Sequence, residues 1–342
     1  MGQNRMETSV SKVVLVTGGA GYIGSHTSKL LRAAGYMPVV YDNMVNGNEW
    51  AVKWGPFEKG DIGDCRRVKE VLEQYNPVAI MHFAAFAYVG ESVFDPMKYY
   101  DNNIRAGISL LETALDCGVE NIVFSSSCAT FGVPETDYIT ENHTQIPINP
   151  YGATKLMFER ILSDVSNSRT MNYRVLRYFN AAGADPDGEI GEHHSPETHI
   201  IPRAIMAALE LIDEITILGA DYDTPDGTCV RDFVHVCDLA KAHVLALDQL
   251  LKNGGADDYN LGNGKGYSVK KVIQTVEKVT GKTIKVSIGD RRLGDPAVLV
   301  SSAEKARIEL GWVADFPDIY DIIKTAFDWE KRKIEKRISY NR

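Results

Sequence analysis

Long hydrophobic runs are absent from this 342-residue sequence. A membrane-spanning helix needs roughly 18 or more consecutive apolar residues, and no segment comes near that length. The polar segment 1–12 also lacks the apolar stretch of a secretory signal. We therefore predict a protein that is neither secreted nor embedded in a membrane.

Cysteine is scarce, and its spacing indicates neither a metal site nor a disulfide framework. The sequence has five cysteines, an odd number, and no pair has the C-x-x-C spacing. This pattern argues against a disulfide framework and against a structural zinc site of the cysteine type. We expect free thiols in a reducing compartment, the cytoplasm.

Basic residues are outnumbered by acidic ones, 37 to 46, which gives a net charge of −9. Such a surface repels phosphate backbones and anionic lipid, so we expect neither a nucleic-acid nor a membrane partner. Internal repeats and low-complexity segments are also missing. The length and the 44% hydrophobic content fit an ordinary folded protein of two domains or one enlarged α/β domain.

What the sequence does contain is a regular alternation of two kinds of segment. Short apolar, β-branched runs read as buried strands, and helix-length segments separate them. The predicted strands are 12–17, 37–41, 78–83, 121–125 and 173–178, and the predicted helices between them include 25–34, 68–74 and 106–117. Strands that alternate with helices predict a doubly wound parallel sheet.

The pattern changes after Asn180, where a turn-rich stretch with histidines and acids begins. We predict a flexible tail over 1–11, a first domain over 12–180, and a return of segment 234–265 to that domain. The remaining segments, 181–233 and 266–342, then form a smaller, interleaved α/β substrate domain.

A glycine-rich loop, Thr17 to Gly24, joins the first predicted strand to the first helix. Glycines at 18, 21 and 24 allow a tight turn, bring backbone N–H groups against a pyrophosphate and let the helix pack on the sheet; Gly19, Gly21 and Gly24 fit the pattern equally. This loop predicts a Rossmann-type dinucleotide-binding fold.

Acidic residues follow the next two predicted strands, where an adenosine group would lie. Asp42 ends the second strand, and its carboxylate suits ribose hydroxyls while repelling a 2′-phosphate, which favours NAD over NADP. Asp61 and Ile62 lie where a third strand would end and could meet the adenine edge.

Tyr151 and Lys155 stand one helical turn apart in a predicted helix, so both side chains face the same way. A nearby ammonium group lowers a tyrosine pKa and makes the phenol a better general base. Ser127 follows a predicted strand whose carboxyl end should line the same crevice, and Asn102, at the start of an intervening helix, is a further polar candidate. These residues predict a proton-transfer site.

Several ordered motifs together resemble the extended short-chain dehydrogenase/reductases, and more closely the UDP-glucose 4-epimerases. The resemblance covers about Val13 to Trp312. The motifs are Gly18-x-x-Gly21-x-x-Gly24, His82-Phe-Ala-Ala85, Gly90-Glu-Ser92, Tyr99-Tyr-Asp-Asn-Asn103, Ser125-Ser-Ser127, Tyr151-x-x-x-Lys155, Arg177-Tyr-Phe-Asn180 and Arg231-Asp-Phe-Val-His235.

The resemblance implies an enzyme that interconverts UDP-galactose and UDP-glucose at C4 through a 4-keto sugar, with NAD as a retained cofactor. Tyr151 would be the base, Lys155 would hold the nicotinamide ribose, and Ser127 would bind the sugar 4-oxygen. The implied cofactor contacts are Gly18, Gly21, Tyr22, Ile23, Gly24, Asp42, Asn43, Asp61, Ile62, Phe83, Ala84, Ala85, Asn102, Ser125, Tyr151, Lys155 and Tyr178.

The resemblance also implies a UDP site and a homodimer. The implied substrate contacts are Ser127, Tyr151, Asn180, His199, Ile200, Thr216, Leu218, Arg231, Phe233, Arg292, Asp295 and Leu299. The two arginines suit diphosphate oxygens and Asp295 suits ribose hydroxyls, although surface ion pairing is the commoner role of an arginine. Helical segments 99–117 and 151–165 would form the dimer interface or serve only the monomer core.

Two departures from the family pattern affect these expectations. A lysine that some epimerases carry is replaced in the segment 86–88, which predicts weaker hold on the cofactor. Leu299 stands where hexose-restricted relatives have a tyrosine, so N-acetylated hexoses could fit, and a UDP-pentose epimerase remains an alternative.

Other functions stay open at the level of sequence. Sugar-nucleotide dehydratases and decarboxylases share the first half-reaction, but they usually carry an acid just after the serine, where this chain has Cys128. An NAD-binding sensor or scaffold without catalysis is a further alternative. We predict no metal site: His193, His194 and His199 with Glu192 and Glu197 fit no closed zinc spacing and indicate a polar loop.

Overall fold

The computed structural model describes residues 12–136, 138–291 and 295–335. Three sheets contain the thirteen strands of these ranges. The strands are β1 (Val13–Thr17), β2 (Met37–Asp42), β3 (Phe57–Lys59), β4 (Ala79–His82), β5 (Asn121–Ser127), β6 (Asn172–Tyr178), β7 (Asn180–Ala182), β8 (Ile215–Leu218), β9 (Val230–His235), β10 (Ala256–Leu261), β11 (Gly266–Ser268), β12 (Val286–Gly289) and β13 (Val298–Leu299).

The helices alternate with the strands of the first half and then cluster in the second. They are α1 (Tyr22–Ala33), α2 (Cys65–Tyr75), α3 (Val89–Phe94), α4 (Pro96–Tyr99), α5 (Gly107–Asp116), α6 (Pro150–Ser168), α7 (Ile200–Ala208), α8 (Val236–Asn253), α9 (Val269–Thr280), α10 (Glu304–Glu309) and α11 (Ile319–Glu335). A π-helical segment, Tyr100–Ala106, joins α4 to α5 without a break.

The largest sheet has seven parallel strands in the order β10-β6-β5-β4-β1-β2-β3. This confirms the predicted α/β fold. Strand order reverses beside β1, and in sheets of this kind the crevice at that switch point, at the carboxyl ends of the strands, holds the ligand.

Both faces of this sheet are covered, which explains why its strands read as continuous apolar runs. Val14 and Val16 of β1 pack with Leu31 of α1 and Leu247 of α8 on one side. Leu15 points to the other side, toward a cluster built largely on α2, α5 and α6. Helix α8 and strand β10 bring segment 236–261 back to this sheet.

A smaller α/β unit sits beyond the carboxyl edge. Strand β9 pairs with β7 and β13 in parallel and with β11 in antiparallel, while β8 and β12 form a separate parallel pair. Helices α7, α9 and α11 supply its core, with Ile205, Val272 and Ile323 fully buried. The division into two domains stays a prediction.

Two local predictions were wrong. Helix α1 begins at Tyr22, not at residue 25, because the second half of the glycine motif already forms the first helical turn. Asn102 does not start a helix but lies inside the π-helical segment. Within the described residues, no helix is both long enough and apolar enough to cross a bilayer.

Candidate active site

The predicted cofactor residues lie along the carboxyl edge of the parallel sheet. The glycine loop follows β1, Asp42 ends β2, segment 61–62 follows β3, segment 83–85 follows β4, and Ser127 ends β5. Parallel strands present their carboxyl ends at one edge, so residues far apart in sequence share a single crevice.

Close backbone approach explains two glycines of the loop. Gly18 has φ +70°, and a Cβ there would lie 2.6 Å from the backbone nitrogen of Ala84. A Cβ on Gly24 would lie 2.4 Å from the carbonyl oxygen of Gly18. A side chain at Gly18 would collide with the segment after β4, and one at Gly24 would push the start of the first helix away from the loop.

The N-terminus of α1 has no side-chain cap, because its N-cap residue is Gly21. Its first backbone N–H groups, including those of Tyr22 and Ile23, are therefore available to an anion. The Tyr22 hydroxyl donates to the carbonyl of Gly183 at 2.6 Å, which ties this helix to the smaller unit. The residues present fit the pyrophosphate of a dinucleotide.

Asp42 is buried at the base of the loop. Its carboxylate accepts hydrogen bonds from the backbone N–H groups of Ala20 at 3.1 Å and Met44 at 2.8 Å. Burial raises its pKa, while these two bonds act in the opposite direction. Each carboxylate oxygen accepts one bond and keeps capacity for a hydroxyl donor.

Next to Asp42, Asn43 donates to the carboxylate of Asp61 at 2.9 Å. Ile62 is buried beside them. The three predicted adenosine-side residues therefore form one connected patch after β2 and β3.

Asn103 is a residue that the sequence analysis missed. Its buried side-chain amide donates to the carbonyl of Phe86 at 3.0 Å and to Thr154 Oγ1 at 3.1 Å, and its oxygen accepts from the Phe86 N–H at 2.9 Å. Asn103 thus ties the segment after β4 to α6, the helix that carries Tyr151. Its neighbour Asn102 donates to it at 2.9 Å. The adjacent pair Asn102 and Asn103 is the sequence signal that could have identified this residue.

The segment 86–88, where the family lysine is missing, has a lysine nearby from another element. Lys98 lies with its Nζ 4.2 Å from the centroid of the Phe86 ring. Its ammonium also pairs with Glu91 at 2.7 Å. A positive charge is therefore present at this segment, although it is neutralised locally.

Helix α6 begins at the Asn149-Pro150 pair. Asn149 caps the helix by accepting from the Gly152 N–H at 2.8 Å, and proline is well suited to the first helical position. Tyr151 and Lys155 are both buried on the face that meets β5. The Lys155 Nζ donates to the carbonyl of Ser125 at 2.8 Å and lies 5.9 Å from the Tyr151 ring centroid.

The predicted lowering of the Tyr151 pKa by Lys155 was wrong for the protein without its cofactor. Burial raises the Tyr151 pKa, the neighbouring Tyr178 adds to the rise, and a hydrogen bond with Ser127 lowers it only in part. Burial also lowers the pKa of Lys155 to about 7, against a small opposing effect of Glu159. Because burial weakens the positive charge of Lys155, the lysine does not favour the phenolate on its own.

A buried ion pair holds α6 against β6. Arg177 donates to both carboxylate oxygens of Glu159, at 2.7–3.1 Å, and also reaches Asp258 at 2.6 Å. Ser126 Oγ donates to the same glutamate. Since Glu159 lies one turn after Lys155, this network fixes the register of the helix that carries the phenol and the ammonium.

Ser127 lies at the end of β5, and its Oγ accepts from the Ala129 N–H at 3.1 Å. The next residue, Cys128, is buried, which raises its pKa to about 12. Cys128 packs in an apolar cluster that contains Leu299, so the predicted gate residue lies next to the serine segment. On the other side, Ser125 Oγ and the Tyr178 hydroxyl are 3.0 Å apart.

The predicted nucleotide residues Arg231 and Asp295 form a largely buried ion pair. Arg231 lies on β9 and also donates to the Val230 carbonyl at 2.7 Å. Asn180 is paired in register with Phe233 of the same strand, so both lie beside this arginine. Sequence analysis proposed these residues separately, and the structure brings them together.

Two other predicted substrate residues, Thr216 and Leu218, lie on the exposed side of β8. Thr216 shares a hydrogen bond with Ser287 across the two-stranded sheet at 3.0 Å. His199 and Ile200 stand at the start of α7. Arg292 lies outside the described residues.

The predicted polar loop at 192–199 gathers four of its side chains into one group. Glu192, His194, Glu197 and His199 each place one possible ligand atom within 4.8 Å of the others. His193 is not in this group; its ring lies 6.2 Å from that of Trp50. The spacing gave no signal because a loop, not a helix or strand, brings the four together.

Comparison with known proteins gives a consistent result. Residues 14–262 match the NAD dependent epimerase/dehydratase family. A UDP-glucose 4-epimerase of Rhizobium meliloti is 51% identical over 320 residues, which are 94% of this chain and 97% of that protein.

Solved structures agree. A UDP-glucose 4-epimerase from Brucella ovis in complex with NAD has 51% identity and a TM-score of 0.91, covering 93% of this chain and 98% of that one. One from Bifidobacterium longum in complex with NAD+ and UDP has 39% identity and a TM-score of 0.91, covering 94% and 99%.

Proposed function

Because the chain belongs to the NAD dependent epimerase/dehydratase family, we propose that it is an NAD-dependent isomerase that interconverts UDP-galactose and UDP-glucose at C4. The observation that carries the proposal is the buried group of Tyr151, Lys155 and Ser127 at the carboxyl edge of a dinucleotide-binding sheet. The Rhizobium meliloti and Brucella ovis proteins are named UDP-glucose 4-epimerases, and this chain matches nearly the whole length of each.

NAD is the cofactor. The glycine loop and the uncapped start of α1 would hold its pyrophosphate, and Asp42 its adenosine ribose. Bound in its oxidised form, NAD supplies a positive charge and a hydride acceptor for C4, to which the hydride later returns. Tyr178 and Lys155 would hold the nicotinamide half.

Tyr151 is the proposed general base for the sugar 4-hydroxyl, and Ser127 binds the same oxygen. Burial makes the phenol a weak acid in the protein alone, so its ionisation depends on positive charge brought into the site. Lys155 supports the phenolate and fixes the nicotinamide ribose. Proton removal is thereby coupled to the presence of the oxidised cofactor.

The UDP group would lie against the smaller unit. Arg231 and Asp295 form an ion pair there. The oxygens of a bound diphosphate would replace part of the contact that the arginine makes with the carboxylate. Asn180, Phe233, His199, Ile200, Thr216, Leu218 and Arg292 complete the proposed nucleotide contacts. Leu299 borders the sugar.

Elimination to a dehydrated sugar needs an acid beside the serine. Residues 128–130 provide a buried thiol, an alanine and a threonine whose hydroxyl donates to the Ser127 carbonyl at 3.0 Å. The nearby acid is Asp232, and its carboxylate accepts hydrogen bonds from the backbone N–H groups of Asn263, Gly264 and Ser301 at 2.9–3.1 Å. These bonds commit the carboxylate to stabilising the loops. Simple return of the hydride is therefore the favoured outcome.

We further propose a cytoplasmic homodimer. The five cysteines are free thiols, which fits a reducing compartment. Exposed apolar side chains lie on α3 and α4 and on the neighbouring α6, and they support pairing of the helices that carry the site.

The activity is tested by adding UDP-galactose to the purified protein without NAD and following the anomeric protons by NMR. Conversion to UDP-glucose supports the proposal and shows that NAD is retained. Conversion only after NAD is added supports the activity with a weakly held cofactor. No conversion with NAD present contradicts the proposed function.

A further inference from the structure

Two histidines and two glutamates meet in the loop between β7 and α7. Glu192, His194, Glu197 and His199 take no part in the proposed proton and hydride transfer, although His199 is also a proposed nucleotide contact and the His194 ring lies 6.1 Å from that of Tyr22. The loop is anchored from the opposite side, because Trp329 Nε1 of α11 donates to the Glu192 carbonyl at 3.0 Å. Four possible ligand atoms lie within 4.8 Å of one another.

Two of the distances within this group match a tetrahedral metal site. Zinc binds histidine nitrogen and carboxylate oxygen at about 2.1 Å, which places neighbouring ligand atoms about 3.4 Å apart. His194 Nδ1 is 3.3 Å from Glu192 Oε1 and 3.5 Å from Glu197 Oε2. Two edges of the tetrahedron therefore already have the required length.

The fourth possible ligand, His199, comes from the start of α7. His199 Nδ1 is in direct contact with Glu192 Oε1. The rings of His194 and His199 are 5.1 Å apart and nearly perpendicular, at 81°. Closing the site requires the His199 nitrogen to move from the carboxylate oxygen to a shared central ion.

Burial supports a ligand here. The Nδ1 atom of His194 is shielded from solvent and lies between the carboxylates of Glu192 and Glu197, with which it forms ion-pair contacts. The His199 side chain is 48% exposed and leaves a path by which an ion could enter.

The local charge also favours a cation. A third carboxylate, Glu330 of α11, is buried close by and is paired with Lys333. Burial raises the Glu330 pKa, and the negative charges of Glu192 and Glu197 raise it further. Lys333 pairs with Glu330, so when both histidines are in the neutral form that binds metals, the carboxylates of Glu192 and Glu197 match the charge of a divalent cation.

We propose that Glu192, His194, Glu197 and His199 bind one zinc ion, which clips the loop to the start of α7. A mixed set of two imidazoles and two carboxylates is a borderline donor set that suits zinc. The ion would hold the segment at His199 and Ile200 in place through the His199 ring. The proposal rests on these donors, and because His199 is also a proposed nucleotide contact, metal binding is measured separately from activity.

The test uses the full chain treated with a chelator and then titrated with Zn²⁺ by calorimetry. We expect one ion per chain, and binding at least tenfold weaker in His194→Gln and in Glu197→Gln. His193→Gln is the matched control, since it removes a neighbouring histidine outside the group, and it should bind as the parent does. Circular dichroism before metal addition shows whether each variant is folded.

If the variants fail to fold, the spectrum of bound Co²⁺ tests the proposed metal site in the parent chain. Co²⁺ added to the parent chain should give the intense visible bands of a four-coordinate ion, and Zn²⁺ should remove them. Weak bands of a six-coordinate ion would contradict the proposal. Equal Zn²⁺ binding by the parent and a folded His194→Gln variant, or no binding by the parent, would overturn it as well.

Discussion

Lys155 is a lysine buried beside a phenol, with its Nζ donating to the Ser125 carbonyl. Burial lowers its pKa to about 7, so between pH 7 and its ordinary value near 10.5 the unfolded chain holds a proton that the folded chain has lost. The free energy of unfolding contributed by this group therefore rises with pH across that range.

The variant Lys155→Met has no titratable group at this position, so we predict that it lacks this rise in stability with pH. In cofactor-free protein, the Tm of the variant minus that of the parent should fall by about 2–5 °C between pH 6 and pH 9. Differential scanning calorimetry measures both proteins at each pH. An unchanged difference would show that Lys155 titrates normally in the folded chain.

Leu299 belongs to the apolar cluster next to the serine segment and is the predicted gate residue. A larger aromatic ring there would restrict the space beside the sugar. Leu299→Tyr should keep turnover of UDP-galactose and reduce kcat/KM for UDP-N-acetylgalactosamine at least tenfold. Leu299→Met, of similar volume, is the control and should leave the ratio of the two substrates unchanged; a similar loss in both variants would refute the gate.

The glycine loop shows how one element depends on close packing. A Cβ at Gly24 would meet the Gly18 carbonyl at 2.4 Å, so Gly24→Ala must displace the start of α1. We expect at least a tenfold loss of NAD affinity, measured by fluorescence titration, together with a lower Tm. Gly90→Ala in α3, where a Cβ would meet open space, should change neither; normal NAD binding by Gly24→Ala would contradict this account.

Local signals predicted the elements well because the parallel strands are buried on both faces. Their apolar runs and the glycine loop identified β1, β2, β4, β5 and β6 and the crevice they form. Asp42 and Ser127 were placed correctly relative to this edge for the same reason, since their positions follow from where strands end.

Non-local contacts account for what the sequence could not provide. The Arg231–Asp295 pair joins segments far apart in the chain, and the Glu192–His199 group depends on the folding of a loop. The altered pKa of Tyr151 follows from burial, which spacing along a helix does not reveal. Sequence proposed the residues of the site, but their charge states required the packed structure.

At the scale of the whole molecule, exposed apolar groups support the proposed homodimer. Phe94 is 89% exposed and Met97 71% exposed, and both lie next to α6. Burying them in a dimer interface would stabilise association through the hydrophobic effect.

We therefore expect the double variant Phe94→Glu with Met97→Glu to be a monomer in light scattering at concentrations where the parent is a dimer. Ile308→Glu changes another exposed apolar residue, 66% exposed and on α10, and this variant should remain dimeric. A dimeric double variant would place the interface on another surface.

The central claim is that the hydrogen at C4 leaves and returns within one bound molecule. The most direct measurement is conversion of UDP-galactose carrying deuterium at C4, in ordinary water, with NMR analysis of the UDP-glucose formed. The account predicts that the deuterium is retained at C4 of the product. Replacement of that deuterium by hydrogen from the solvent would contradict it and indicate direct proton removal from carbon.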